Sequence, residues 1–461
     1  MSRNSCKNFA DSAMSKPKTR WIVIFIVLAA LQLLVLFNSQ NPESATVDTI
    51  DKADTAWMIV ATAFVLFMTP GLSFFYGGMV SVKNVISTML QSFIALGVIS
   101  LLWYLVGFSL AFGESWHGLI GNPMTYFAFK DVGLSPHPAF SPTFPFLLFA
   151  LFQLKFAIIT PALITGSFAE RVKFTSYLIF ICLFSLIIYS PLAHWTWHPD
   201  GFLRKLGVLD FAGGTVVHMS AGFAALAGAY MLGKREEKYH HPANIPFIIL
   251  GTAMLWFGWF GFNAGSALAA SSQAVQAFAT TAFASASAMM TWVLFDALVG
   301  RKISAVGACI GAVVGLVAIT PAAGFVNLGQ SIFIGFVAAI ISNLAVYYKQ
   351  KTSLDDTLDV FPCHGVGGIV GMILTGVFAN GVGLVYGKVE TFSYHLLALV
   401  LVGIFTFGGS FLLFKITDWI TPLRVSADEE RLGLDLSQHS ETLQVEAVTE
   451  SAAKPGMEVA A

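Results

Sequence analysis

Apolar stretches of about 20 residues recur along most of this chain, and they constrain its fold more than any other feature. Each stretch is long enough to cross the roughly 30 Å hydrocarbon core of a bilayer as a helix. With 56% hydrophobic and 11% charged residues, the chain lacks the charge that a soluble protein of this size needs on its surface. A β-barrel would show alternation instead of continuous runs. The sequence therefore predicts an all-α polytopic membrane protein.

Eleven transmembrane spans are predicted after a basic N-terminal segment. They are expected at 56–79, 85–112, 145–169, 174–195, 211–233, 244–269, 276–299, 303–320, 326–348, 362–384 and 394–420. The chain then divides into an N-terminal segment (1–50), a transmembrane domain (51–422) and a polar, acidic tail (423–461). We expect roughly the last twenty residues of this tail to be disordered, because they lack the apolar side chains of a core.

The apolar segment at 21–37 follows several basic residues. This arrangement is typical of a signal peptide or of an uncleaved anchor helix, and the lack of a clear A-x-A site leaves both interpretations open. The loops between spans hold eleven Lys and Arg residues on one side and four on the other. The positive-inside rule then predicts a multi-pass protein of the cell membrane, with the mature N-terminus outside and the C-terminus in the cytoplasm.

The two halves of the transmembrane domain share short sequence patterns. The tetrapeptide ITPA occurs in the third and the eighth span, and a Leu-Asp pair precedes a histidine twice, at Asp210 before His218 and at Asp359 before His364. Spans 1–5 and 6–10 therefore form two units, and the second must be inverted because five is an odd number. The sequence predicts a 5+5 inverted repeat plus one C-terminal helix, an architecture that is common in transporters.

His218 and His364 are titratable side chains in apolar spans, where such residues are costly. Glycines crowd around both, which allows close helix packing and leaves room for a narrow channel. If the two halves face each other, the imidazoles can share a proton and line a polar path. Two histidines satisfied by packing and interhelical hydrogen bonds are the alternative interpretation.

A further group of residues points towards the outer side. Asp210 opens a span, where it can cap the helix and also supply a negative field that attracts a cation. Trp197, Phe156 and Phe262 lie in aromatic-rich stretches, and Ser266 follows Phe262 by one helical turn. Aromatic faces bind small cations, and a hydroxyl can accept a hydrogen bond from one, although interfacial Trp more often serves as a membrane anchor.

Several long motifs in order, among them FAIITPALITGSFAER, LDFAGGTVVH, WFGWFGFNAGSALAA and LDVFPCHGVGGIVG, resemble the ammonium transporter/Rhesus family, and its ammonium transporter branch in particular. The resemblance covers 54–435. It implies a homotrimer with eleven spans and one pore per subunit, which moves ammonium or ammonia across the membrane. The sequence shows no nucleotide loop, metal cluster or nucleophile motif, so we expect no enzymatic activity, cofactor or metal, and we expect no nucleic-acid partner.

The resemblance also implies an outer site that recruits ammonium, two stacked rings that block the pore, an essential aspartate and twin histidines along a hydrophobic pore. Trp197, Phe156 and Ser266 match the outer site, and Phe156 and Phe262 match the stacked rings. Asp210 matches the essential aspartate, and His218 and His364 match the twin histidines. A bare ammonium ion is costly to move along an apolar wall, so we expect it to lose a proton and to cross as ammonia.

Two features leave alternatives open. The stretch 424–439 resembles a cytoplasmic tail that in relatives shapes the docking surface for a PII-type signalling protein, but it also fits a solvated acidic helix. Lys155 stands beside Phe156, where the family has a small or apolar residue; we expect it to pair with a carboxylate or to snorkel, or else to alter transport. An ammonium sensor with little conduction and a passive ammonia channel of the Rhesus type remain as alternative functions.

Overall fold

The computed structural model describes residues 22, 25–30, 33, 50–237 and 241–443. Most of the segment 21–37, predicted as a signal peptide or anchor, and the tail beyond residue 443 lie outside the described residues. The described part contains eleven long apolar helical segments: α1 (Lys52–Met79), α2 (Val82–Phe112), α3 (Phe146–Phe168), α4 (Phe174–Lys205), α5 (Gly214–Leu232), α6 (Ile245–Gly265), α7 (Ser272–Leu298), α8 (Ala305–Ile319), α9 (Leu328–Gln350), α10 (Phe361–Phe378) and α11 (Val389–Ile420).

These segments correspond one to one with the predicted spans and make the chain a polytopic helical membrane protein. Ten of them are long and apolar enough to cross a bilayer, and α8 is a shorter apolar helix of 15 residues. The largest differences are at the ends of two helices: α4 continues to Lys205, past the predicted residue 195, and α10 ends at Phe378, before the predicted residue 384. Ala379 leaves the helical conformation there, and its carbonyl accepts the Gly383 N–H at 2.7 Å, so the chain turns instead of continuing the helix.

Short polar side chains start the helices of the second half. Asn244, Ser271, Ser304 and Asn327 are the N-caps of α6, α7, α8 and α9, and each accepts a backbone N–H from the first turn. Such a cap satisfies one of the N–H groups that a helix start leaves without a partner. In contrast, α5 and α10 each begin with a six-residue π-helical segment, Gly214–Met219 and Phe361–Val366.

The helices define two ends of the molecule. The loop-rich end contains residues 113–145, with two small antiparallel hairpins, β1 (Ser115–Trp116) with β2 (Ile120–Gly121) and β3 (Pro136–His137) with β4 (Ser141–Pro145). A break in α4 between Trp197 and Phe202 lies at the same end. The opposite end, which we call the tail end, holds the loop between α3 and α4, the start of α2 and the C-terminal tail.

The two five-helix halves are related by inversion, as the antiparallel packing of α1 on α6 illustrates. A Cβ atom on Gly71 would lie 2.9 Å from the Cβ of Met254, and one on Gly78 would lie 2.6 Å from the carbonyl oxygen of Asn244. Further along, Gly261 packs against Phe64 of α1. At these contacts the residue numbers increase along α6 while they decrease along α1, so the two helices run antiparallel. The glycines let the two backbones approach closely.

The inversion is also visible where α5 crosses α10. Gly222 of α5 packs against the backbone of Gly365, and Gly368 of α10 packs against the carbonyl oxygen of Gly214 and the Cβ of His218. The two contacts are reciprocal, because a glycine of each helix packs against the segment of the other helix that contains the histidine. This crossing brings His218 and His364 together at the interface of the two halves.

The aspartates of the repeat are not the pair that the sequence analysis matched. Asp210 accepts the backbone N–H groups at the start of α5. At the start of α10, the corresponding cap is Asp356, whose carboxylate accepts the N–H groups of Val360 and Phe361. Asp356 precedes His364 by eight residues, as Asp210 precedes His218. Asp359 instead forms an ion pair with Lys349 at the end of α9, where its Oδ1 atom lies 2.6 Å from the lysine Nζ.

The tail folds back on the tail end in two short helices, α12 (Ala427–Leu432) and α13 (Leu434–His439). Asp435 caps the helical start of α2 by accepting the N–H groups of Ile86 and Ser87 at 3.0 and 2.7 Å. Between the two tail helices, Gly433 has a φ of 96° and sits against Lys83, where a side chain would collide with the backbone. Nearby, the N–H of Leu434 donates to Asn84 Oδ1 at 2.7 Å.

We predict that Gly222→Leu destabilises the fold. The new side chain would overlap the backbone of Gly365, which cannot move without separating α5 from α10. Overpacking of this kind costs about 3 kcal/mol of unfolding free energy. Thermal unfolding of the purified protein in detergent measures the loss, and Gly97→Leu is the matched control because a Cβ atom on Gly97 meets nothing within 4 Å. Equal unfolding temperatures for the two variants would contradict the close crossing.

Candidate functional site

A cavity of about 380 Å³ opens at the loop-rich end, between α3, the end of α4, the start of α5 and the end of α6. Four of the residues singled out in the sequence analysis line it, namely Phe156, Trp197, Asp210 and Ser266. The Trp197 ring meets the Phe156 ring edge to face, with centroids 5.7 Å apart and an interplanar angle of 82°. Aromatic faces and a hydroxyl thus share one concave surface, which is the chemistry of a small-cation site.

Ser266 is positioned as an acceptor. Its Oγ donates to the carbonyl oxygen of Phe262 at 2.9 Å, one turn earlier in α6. A hydroxyl has one hydrogen and two lone pairs, so this bond leaves its oxygen free to accept a hydrogen bond. The Ser266 side chain is half-buried at the point where α6 ends.

Two phenylalanine rings lie against each other beside the cavity. Phe156 of α3 and Phe262 of α6 lie with ring centroids 4.1 Å apart and planes tilted by 31°. Both side chains are buried, with at most 1% of their surface exposed. No hydrated ion fits between rings at this distance, so passage requires that they separate or that the ion lose its water.

His218 and His364 lie beyond the ring pair. The His218 ring is 6.2 Å from Phe262 and stacks on Trp259 at 5.4 Å. The Nδ1 atoms of the two histidines are 3.4 Å apart. Such a contact needs one ring protonated at Nδ1 and the other not, so the two neutral rings must adopt different tautomers. Within the described part of the chain, no group bonds to His218 Nε2.

Asp210 holds the start of α5 by accepting four hydrogen bonds. Its carboxylate receives the N–H groups of Gly213, Gly214 and Thr215 at 2.6–2.7 Å and the Thr215 hydroxyl at 2.5 Å. Its backbone carbonyl accepts the Trp197 Nε1–H at 3.1 Å. The residue thus acts as a helix cap and also ties the cavity wall to the helix that carries His218.

Towards the tail end, a small space of about 10 Å³ borders His364 and is lined by Tyr76 and Cys363 among others. The loop before α10 carries a charge cluster, in which burial raises the pKa of Asp359 to about 6 while Lys349 opposes the shift. Arg171, fully buried in the neighbouring loop, donates to the carbonyl oxygen of Asp355 at 2.6 Å. Burial lowers the pKa of Arg171 to about 10, so the guanidinium stays charged at neutral pH.

Other aromatic and charged residues of the same helices lie elsewhere. Phe260 stacks on Phe278 of α7 at 4.0 Å, and Trp195 donates its Nε1–H to the carbonyl oxygen of Leu119. Lys155 is half-buried and does not line the cavity. The carboxylate partner expected for Lys155 is not found among the described residues.

Several cavity residues were not predicted. Gln153, Thr196 and Arg204 all line the cavity, and the Arg204 guanidinium donates to the carbonyl oxygen of Trp197 at 2.8 Å. Gln153 precedes Phe156 by three residues, so the helical period of α3 could have placed both on one face. The described residues contain no cluster of three or more His, Cys, Asp or Glu side chains that could hold a metal ion.

Comparison with known proteins places these features in a family. The model of the Ammonium Transporter Family matches residues 56–444. The chain is 44% identical over 403 residues to a putative ammonium transporter of Methanothermobacter thermautotrophicus, covering 85% of this chain and 98% of the relative. Among solved structures, Saccharomyces cerevisiae Mep2 matches with a TM-score of 0.77 and 36% identity, over 82% of this chain and 89% of that one.

A second solved structure, described as a sensor Amt protein, matches with a TM-score of 0.78 and 32% identity, over 84% of this chain and 98% of that one. The family match, the high identity to curated relatives and the shared fold extend over the same transmembrane region. The chain therefore belongs to the ammonium transporter family.

Proposed function

We propose that this protein recruits ammonium at the cavity, removes a proton from it and conducts ammonia along a path lined by His218 and His364. The observation that carries the proposal is the order of the parts: an aromatic cavity, a closed ring pair and two paired histidines follow one another from the loop-rich end inward. Each part suits one step of moving a small cation through an apolar wall.

Recruitment rests on Trp197, Phe156 and Ser266. A desolvated cation is attracted to aromatic faces, and an ammonium ion also has four N–H groups that need acceptors. The Ser266 hydroxyl supplies one acceptor, because its own hydrogen is used by Phe262. The Asp210 carboxylate already accepts four hydrogen bonds, so it contributes negative charge near the cavity and not a direct ligand atom.

Deprotonation follows from the chemistry of the path. The ring pair and the apolar walls beyond it offer no replacement for the hydration shell of an ion, so carrying the charge inward is costly. Neutral ammonia avoids this cost. Two imidazoles in Nδ1–Nδ1 contact provide a donor and an acceptor, so the released proton passes along them while ammonia crosses the apolar path, and the net charge moved is that of ammonium. Potassium has no proton to release and is therefore rejected.

The proposal is tested by solid-supported-membrane electrophysiology on purified protein in liposomes. We expect a transient current with ammonium pulses and none with potassium pulses of the same ionic strength. A passive ammonia channel would give no current but would speed ammonia entry in a stopped-flow assay with an internal pH dye. A sensor with little conduction, which the similarity to the sensor Amt protein keeps as a second candidate, would give neither signal.

We further propose the assembly and orientation that the family suggests. The loop-rich end faces outward and the tail end faces the cytoplasm, which agrees with the excess of Lys and Arg in the loops of the tail end. Three copies assemble in the cell membrane, with lipid around them. Residues 51–422 form the transporting domain, 1–50 a signal or anchor segment, and 423–461 a regulatory tail whose surface docks a PII-type signalling protein.

We predict that Asp435→Ala loosens the tail. The carboxylate caps the start of α2 with two hydrogen bonds from Ile86 and Ser87, and loss of such a cap costs about 1 kcal/mol. Limited proteolysis should then cleave the tail near Leu432–Leu434 several-fold faster than in the wild type. Glu441→Ala, at an exposed carboxylate beyond α13, is the control and should leave the cleavage rate unchanged. Equal rates in both variants would show that Asp435 does not hold the tail.

A further inference from the structure

The cavity is larger than one ammonium ion needs. Its volume of about 380 Å³ compares with the roughly 30 Å³ that a water molecule, similar in size to ammonium, occupies in the liquid. Trp197, Phe156 and Ser266 account for one part of the wall. The other lining residues include Gln153 and Thr196, together with Phe112 of α2 and Phe140 of the loop 113–145.

Gln153 and Thr196 are both buried polar side chains, with 8% and 4% of their surface exposed. Neither Gln153 Oε1 nor Thr196 Oγ1 has a hydrogen-bond partner among the described residues. Buried oxygens in natural proteins are nearly always paired with protein groups, water or a ligand, because an unmade bond is costly. Both residues line the cavity, so a bound group with hydrogen-bond donors would satisfy the two oxygens once these side chains turn towards it.

Three phenylalanine rings complete this part of the wall. The rings of Phe112, Phe140 and Phe149 all line the cavity and lie within 5.1–5.6 Å of one another. Oxygen acceptors and aromatic rings that line one cavity repeat the chemistry of Ser266 with Trp197 and Phe156. This combination suits a small cation that carries N–H groups, because the rings attract the charge and the oxygens accept its hydrogens.

The two polar residues sit close to the recruitment site along the chain. Gln153 precedes Phe156 by three residues of α3, about one helical turn or 5 Å, and Thr196 is next to Trp197 at the end of α4. The Gln153 amide can present either its oxygen or its nitrogen to the cavity, since a half-turn about its last bond exchanges the two with little change of shape. Binding of a cation selects the oxygen.

We propose that Gln153 and Thr196 form a second binding subsite for ammonium-type cations, which holds an ion before it reaches Trp197 and Ser266. This subsite rests on the proposed function only for the identity of its ligand. Its role is to raise the occupancy of the cavity at low ammonium concentration. It is expected to affect the concentration dependence of transport and to leave the maximal current unchanged.

The first test is the ammonium concentration that gives half-maximal current in solid-supported-membrane electrophysiology. Thr196→Val removes the hydroxyl at nearly constant shape, and Gln153→Leu removes the amide; each should raise this concentration about tenfold, as expected for the loss of one hydrogen bond to a charged group. Thr196→Ser keeps the hydroxyl and should behave as the wild type. Gln273→Leu is the control, because Gln273 also lines the cavity but already donates to the carbonyl oxygen of Gly324 at 3.3 Å.

A second measurement does not depend on transport. The unfolding temperature of the purified protein is followed as ammonium chloride replaces sodium chloride at constant ionic strength. Ammonium should stabilise the wild type and the Thr196→Ser variant at lower concentrations than Thr196→Val and Gln153→Leu. Stabilisation of the wild type without any ammonium current would overturn the proposed function and leave the subsite standing. Wild-type concentration dependence in both Thr196→Val and Gln153→Leu, by current and by unfolding, would show that the two oxygens hold only water.

Discussion

Replacement of Asp210 with alanine should remove the ammonium current, reducing it by at least about 100-fold. Alanine leaves the buried N–H groups of Gly213, Gly214 and Thr215 without an acceptor, and each such loss costs roughly 1–3 kcal/mol. The first turn of α5 must then rearrange to find other partners. Because His218 lies in that same π-helical segment, its contact with His364 is expected to be lost with the turn.

The measurement is the current in liposomes at saturating ammonium, together with the unfolding temperature of the purified variant. Asp200→Ala is the control, since Asp200 is an exposed carboxylate at the same end of the molecule and pairs with Lys205 at 2.7 Å. An exposed pair of this kind contributes little, so the control should keep its current within about twofold. A folded Asp210→Ala protein with a wild-type current would refute the role assigned to this cap.

Replacement of both His218 and His364 with leucine should also reduce the ammonium current by about 100-fold. Leucine is close to histidine in size, so the path stays filled while its donor and acceptor nitrogens are lost. Neither the released proton nor ammonia then finds a polar partner between Phe262 and the tail side. The Trp259 ring, which stacks on His218 at 5.4 Å, can pack against leucine equally well, so we expect the fold to be retained.

The single variants His218→Leu and His364→Leu separate a relay from a simple pore lining. If the Nδ1–Nδ1 contact matters, each single variant should lose nearly as much current as the double variant, because the residues act as a unit. His241→Leu is the control, since His241 is exposed on the loop before α6. Additive effects of the two single replacements would argue against a shared proton.

The helices were predictable because each apolar stretch must cross the same thickness of hydrocarbon. The residues at which the helices begin and end were less predictable. Asp51 caps α1 and starts it before the predicted residue 56, while the turn after Ala379 ends α10 early. Both are local choices made by one side chain or one turn, which hydropathy averaged over about 20 residues does not resolve.

The repeat shows a different limit of sequence patterns. The histidines were matched correctly, because titratable side chains are rare in spans and these two stand out. Their aspartates were matched wrongly. Asp359 was paired with Asp210 because both follow a leucine, whereas the true counterpart, Asp356, does not follow one. The spacing of eight residues to the histidine was the better signal, because a cap acts through its distance from the helix start and not through its neighbour.

The side-chain partners of the cavity were the least predictable part. Trp197, Phe156 and Ser266 were named from motifs, but the unpaired oxygens of Gln153 and Thr196 depend on how α3 and α4 pack against α2 and the loop 113–145. The surroundings of Lys155 were also not predictable from the sequence. This residue was expected to pair with a carboxylate or to snorkel, or else to alter transport, and no carboxylate pairs with it among the described residues.

The contact between His218 and His364 also bears on how the protein is made. The two residues are 146 positions apart, so at synthesis rates of about 5–20 residues per second the first histidine leaves the ribosome roughly 7–30 s before the second. During that interval α5 has no α10 to receive Gly222, and its histidine has no imidazole partner. The first half must therefore wait in the membrane, held by its own contacts, until the second half is inserted in the opposite sense.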